Sequence, residues 1–239
     1  MNVCKKCNNE FQGNYCPSCG HPLKIERINS RYIVTEIGNV LSFQKGILYT
    51  IKELLMRPGQ NIRAFISEDR NRLVKPIMFI LITSLTYTLF VKIFGFNDGY
   101  VNYNYDDFND TSTGLIFQWI SEHYGYSNII MAVFIAIWIK ILFRKYSYNF
   151  YEILILLCFV MGMGMLMLAL FGMIESITNS HLLEYGAYAF FIYAFWAIGS
   201  FFDKRKYFNY VKALISYILG MLSFTFISLG TGILIDFIK

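Results

Sequence analysis

The chain has 239 residues, of which 56% are hydrophobic and only 15% charged, with Phe and Tyr contributing 23 and 18 positions. Soluble domains carry about 25% charged residues, so this composition, with a mean hydropathy of +0.44, excludes an ordinary soluble enzyme and a disordered protein alike. The net charge of +5 is unevenly placed: residues 1–75 hold 12 basic and 6 acidic side chains while 95–126 hold none and 5, the pattern of a chain sorted across a membrane.

The amino terminus carries Cys4-Lys5-Lys6-Cys7 and then Cys16-Pro17-Ser18-Cys19-Gly20. Two Cys-x-x-Cys hooks supply four thiolates at the tetrahedral geometry of structural zinc, with Zn–S bonds of about 2.3 Å. Cys4, Cys7, Cys16 and Cys19 are therefore the expected ligands of a Zn(2+) ion in a ribbon over residues 1–22, with Gly20 letting the backbone turn tightly around the metal. A module this small buries no useful core, so the metal supplies its folding energy. Four Cys ligands leave no open coordination position, which argues against zinc catalysis. Rubredoxin-like iron and a thiol–disulfide pair are the alternatives, and His21 reads as a surface residue rather than a fifth ligand. The first long apolar run begins at Val74, so no signal peptide is expected. The amino terminus is then expected in the cytosol, where thiols stay reduced.

Residues 23–73 read as a basic, amphipathic cytosolic connector. Ile47, Ile51, Leu54 and Leu55 form one helical stripe, Arg57-Pro58-Gly59 breaks it, and Ile62, Phe65 and Ile66 begin a second. These helices suit the inner headgroup layer, with Arg57, Arg63, Arg70, Arg72 and Lys75 near anionic lipid, and equally suit packing beneath a helical bundle. Nucleic acid is an unlikely partner for so small a ribbon beside a bilayer.

The Cys4 ribbon, the run Arg57-Pro58-Gly59-x-x-Ile62-x-x-Phe65-Ile66, and Arg70 followed by Pro76 together resemble an uncharacterised bacterial family of multipass membrane proteins with an amino-terminal zinc ribbon. The resemblance implies the same architecture and brings no established activity. This chain has His21 where that family usually has Gln, and Glu68-Asp69 where it usually has Gly-Lys. The metal hooks are intact.

A helix needs about 20 apolar residues to cross about 30 Å of hydrocarbon. Five segments of the transmembrane domain, residues 74–239, are read as spans: 74–94, 127–143, 150–177, 187–202 and 211–235. The expected fold is thus all-α, a bundle of about five transmembrane helices carrying the zinc ribbon and the connector helices. The third span is long enough to tilt or kink. Arg144-Lys145 and Lys204-Arg205-Lys206 lie in alternate loops, so an inside amino terminus leaves only Lys92 and Lys239 of the 21 basic residues outside. The expected location is a bacterial cytoplasmic (inner) membrane with the carboxyl terminus outside. Lys75, Lys92, Lys140, Glu152, Glu175, Lys212 and Asp236 all fall near span ends. A coupled carrier usually needs an ionisable group near mid-bilayer, and none is found.

Other chemistry is weaker. Cys158, Met161 and Met165 share one face of the third span and suit Cu(I), but Gly162, Gly164, Ala169 and Gly172 favour helix packing there. Asn102, Asn104 and Asp106 begin a calcium-loop spacing that fails at Asp107 and Thr113. Leu115, Ile116, Trp119 and Ile120 predict a short interfacial helix. His123 with Glu122, and His181 with Glu184, have no nucleophile motif beside them and read as surface pairs.

The expected function is that of a non-enzymatic interaction or regulatory protein, its partners being the lipid bilayer, anionic lipid at the inner face, and an unidentified protein reached through the zinc head. The alternative is a transporter or channel for an unidentified solute or lipid, its path lined by Gly220, Ser223, Thr225, Gly230 and Gly232. A membrane enzyme acting on lipid comes third.

Overall fold

The computed structural model describes residues 2–4, 7, 9–11, 13, 15–19, 46–96 and 111–238. The chain forms two compact units, Met1–Gln44 and Lys45–Lys239. In the first, β1 (Asn2–Val3) pairs antiparallel with β2 (Glu10–Phe11), Val3 opposite Glu10. Gly13 follows at φ 127°, in the left-handed half of backbone space that a side chain resists. His21, Gly20, and the calcium-like Asn102, Asn104 and Asp106 lie outside the described residues.

The second unit is all-helical. Two short helices come first, α1 (Ile47–Met56) and α2 (Pro58–Ser67). Pro58 occupies the first position of α2, where its missing N–H removes no hydrogen bond, so the expected break becomes a helix start. Leu54, Ile62 and Phe65 are buried in the same core as Phe79, Phe159 and Phe201, so the connector helices pack on the bundle. Leu55 does not share their stripe. It is 48% exposed, because one residue beyond Leu54 is about 100° further round the helix.

Then come α3 (Pro76–Phe94), α4 (Ser112–Glu122), α5 (Tyr124–Leu142), α6 (Phe150–Thr178), α7 (Leu183–Asp203) and α8 (Tyr207–Ile238). Four of them, α3, α6, α7 and α8, are long and apolar enough to cross a membrane, and α5 adds a shorter apolar stretch, Tyr126–Leu142. The span expected at 187–202 is longer in the structure, running from Leu183 to Asp203. The short helix expected around Trp119 is α4.

The centre of the bundle is α6, which packs on α3, α5 and α7; α8 lies against α5, α7 and α4. Of the apolar window of α6, 67% is buried, against 11% for α8. Small residues on two sides make that central position possible. A Cβ on Gly162 would strike the Phe79 ring of α3, and one on Gly164 would strike the Phe190 ring of α7. Both rings approach the α6 backbone as closely as two packed helices allow. At the ends of α5 and α7, Phe143 and Phe202 stack with centroids 3.9 Å apart.

Candidate metal centre

In the amino-terminal unit the Cys4 N–H donates to the Asn9 carbonyl at 3.0 Å, which closes the first hook into a tight loop. The Asn9 side chain donates to Ser18 Oγ at 2.6 Å and so ties the first hook to the second. The four Sγ atoms of Cys4, Cys7, Cys16 and Cys19 all lie within 4.8 Å of one another. Cys4 and Cys19 are 3.5 Å apart, as are Cys7 and Cys16. A disulfide needs about 2.05 Å, whereas the edge of a tetrahedron with 2.3 Å metal–sulfur bonds is about 3.8 Å. The donor set therefore fits a metal ion and not a pair of S–S bonds. Cys4 and Cys16 are buried, Cys19 half-buried and Cys7 exposed.

The same crowding acts on the Cys7 thiol. The Asn9 backbone amide favours the Cys7 thiolate, but the neighbouring Cys19 and Cys16 thiols outweigh it and push the Cys7 thiol up to about 12. The Cys7 thiol thus gives up its proton when a cation binds.

The other sequence candidates do not converge. Cys158 is half-buried on α6, and Met161 and Met165 are buried in its packing. Among the described residues, the four amino-terminal cysteines form the one His, Cys, Asp or Glu cluster of metal-ligating geometry. The His123 ring stacks on Trp119 at 4.8 Å, and its Nδ1 lies 3.1 Å from the Trp119 carbonyl. His181 and Glu184 are both exposed. In α8, Ser223 Oγ accepts from Trp138 Nε1 at 2.8 Å. Gly220 admits the backbone of Ile135, and Gly232 admits Thr113.

The charges near the helix ends have a role that sequence reading missed. Arg63 donates from Nη1 to the Ser200 and Phe201 carbonyls, at 2.5 and 2.6 Å, in the last turn of α7. Lys212 donates to the Leu142 carbonyl that ends α5, and Lys140 to the Tyr148 carbonyl. At the opposite polarity, Glu175 accepts the Leu183 N–H at the start of α7, and Asp236 accepts the Ser112 N–H at the start of α4. Asn149 and Glu152 form a reciprocal capping box at the start of α6. Arg63 and Lys212 thus sit on carbonyl ends and Glu152, Glu175 and Asp236 on amide ends, each favourable to the unpaired backbone groups there, while Lys140 holds a carbonyl of the α5–α6 loop.

The Arg57-Pro58-Gly59 segment belongs to this pattern. A Cβ on Gly59 would strike the backbone of Ser200 and Phe201, so glycine is what lets α2 reach the end of α7 and deliver Arg63. Beside it, buried Asn61 donates to the Glu53 carbonyl at 2.9 Å and accepts from Arg72 at 2.8 Å. Arg72 also pairs with the Glu53 carboxylate at 3.7 Å.

No curated protein and no solved structure matches the chain. A family model described as "protein of unknown function (DUF3667)" matches residues 44–88, which takes in α1, α2 and most of α3, the stretch that carries Gly59, Arg63 and Arg72.

Proposed function

We propose that this chain is a multipass protein of a bacterial cytoplasmic membrane that acts by binding rather than by catalysis, with a zinc-filled head on the cytosolic side as its docking element. The observation that carries this reading is the convergence of four thiols within 4.8 Å. Four sulfurs complete a tetrahedral shell and leave no position for a substrate, so the ion's task is to fold the head. Zinc fits the site better than iron because it needs no redox partner. The helix-end charges support the same reading: groups that hold backbone termini are not available as a proton relay. Exposed Lys52, Arg57, Arg70 and Lys75 favour anionic lipid at the inner face. Transport draws less support, since Gly220, Ser223 and Gly232 take part in close packing.

The test is a crosslinking pull-down comparing the full chain with a variant lacking residues 1–22 and with Cys4→Ser, each checked for membrane insertion. Specific protein partners captured by the full chain and lost from both variants would support a docking head. An identical partner set from all three would end this reading and leave transport. Metal analysis of the purified full chain should give one zinc per chain.

A further inference from the structure

A cavity of about 600 Å³ opens between α2, α3, α5 and α6, a volume in the range of small-ligand sites. Its wall is hydrocarbon: Ile77, Ile80, Ala132, Val133, Ile155 and Cys158 are typical of it. Polar groups line only one end, where Arg70 stands with Asn149 and Glu152. From Asn149 to Cys158 the wall follows α6 through roughly 14 Å of rise. That is about half of a 30 Å hydrocarbon layer, the depth of one leaflet. Ile77 and Val133 on the rim are 69% and 38% exposed, so the slot opens sideways.

The charge at the polar end is specific. Glu152 is occupied at the start of α6, where its carboxylate accepts the Asn149 N–H. Arg70 is exposed, and no ion pair among the described residues involves it. Beside it α3 begins with Pro76, its preceding residue Lys75 makes no side-chain cap, and its first turn contains no acidic residue. The amides of Ile77 and Met78 are therefore left without an intrahelical acceptor, and the positive end of the helix dipole faces the cavity next to a guanidinium. An apolar slot one leaflet deep that ends on a cation and a helix amino terminus matches one ligand class.

We propose that this cavity binds a glycerophospholipid, one acyl chain lying in the slot and the phosphate meeting Arg70 and the first amides of α3. The inference rests on the helices spanning a bilayer and is independent of the zinc head. The experiment uses the full chain in maltoside micelles, which carry no phosphate, with a phosphatidylglycerol bearing a photoactivatable diazirine in one acyl chain. Labelling mapped by peptide mass spectrometry should concentrate on residues 77–80, 129–133 and 154–158, in preference to the exposed face of α8 around Phe226 and Ile233. Arg70→Gln should lower that labelling about tenfold, the loss expected for one charge-assisted hydrogen bond. Val133→Trp, which fills the slot from its exposed rim, should abolish it with no change in the melting midpoint. A diacylglycerol carrying the same diazirine but no phosphate should label about tenfold less, and millimolar inorganic phosphate should not compete. Even labelling over α8, an unchanged signal in Arg70→Gln or Val133→Trp, equal labelling by the diacylglycerol, or displacement by inorganic phosphate would each overturn the proposal.

Discussion

The two units of this chain are held by opposite means. Among the described residues the head has a two-residue ladder and four sulfurs, and its buried cluster consists of Cys4 and Cys16 with Cys19 against them. The helical unit has a continuous apolar core running from Leu54 to Tyr217. A bound metal concentrates its stabilisation in one place, so the head should be all-or-none with respect to any single ligand. Packing distributes stabilisation over many contacts, so the bundle should lose it in increments.

The sharpest way to break that contrast is to remove one sulfur. Cys16→Ser should abolish stoichiometric zinc and expose residues 1–20 to protease, because apparent metal-binding energies of about 10–16 kcal/mol are also folding energies in such modules. The thermal midpoint of the helical unit in detergent should not move; if it falls with the metal, the two units are not independent in their energetics. Acidification should act in the same direction. The Cys7 thiol holds its proton, so a bound metal must displace it, and apparent affinity for added zinc should fall as pH falls. A zinc titration followed by a chromophoric chelator at two pH values checks the sign.

Within the bundle the steps should be smaller. Gly59→Ala forces a methyl group into the backbone of α7 and should cost about 3 kcal/mol, read as a lower thermal midpoint with full zinc content. Arg63→Ala leaves the Ser200 and Phe201 carbonyls without their cation and should cost about 2 kcal/mol. Asp236→Asn should have the smallest effect, about 1 kcal/mol, seen as faster hydrogen exchange at the Ser112 amide with little change elsewhere.

What sequence reading recovered and what it missed divide along the same line. The thiol hooks are legible because coordination needs only short spacings, three residues within each hook. The long apolar helices are legible because crossing hydrocarbon demands length and little else. Pro58 marked the α1–α2 break through its own ring geometry. Leu55 falls off the buried face because a stripe of four apolar residues on a helix of under three turns leaves its edge undecided, and the bundle takes Leu54. The role of Arg63 was invisible because its acceptors lie 137 and 138 positions away. Hydropathy separates central α6 from peripheral α8 only in degree, 2.8 against 2.0. Both are apolar and both carry glycines that admit a neighbour, Gly162 and Gly164 in α6 and Gly220 and Gly232 in α8, so only the packed bundle shows which helix is central.

The contact between Asp236 and Ser112 has a consequence in time. The carboxylate that holds the first turn of α4 is separated from it by 124 residues of chain. At synthesis rates of about 5–20 residues per second, it leaves the ribosome on the order of ten seconds after the Ser112 N–H that it accepts has emerged. During that interval the leading end of α4 has only its local cap, the Thr111 hydroxyl that accepts the Gly114 N–H. The surface it forms is completed only when the turn of α8 that bears Asp236 arrives, so a chain cut before that turn would leave the surface unsealed.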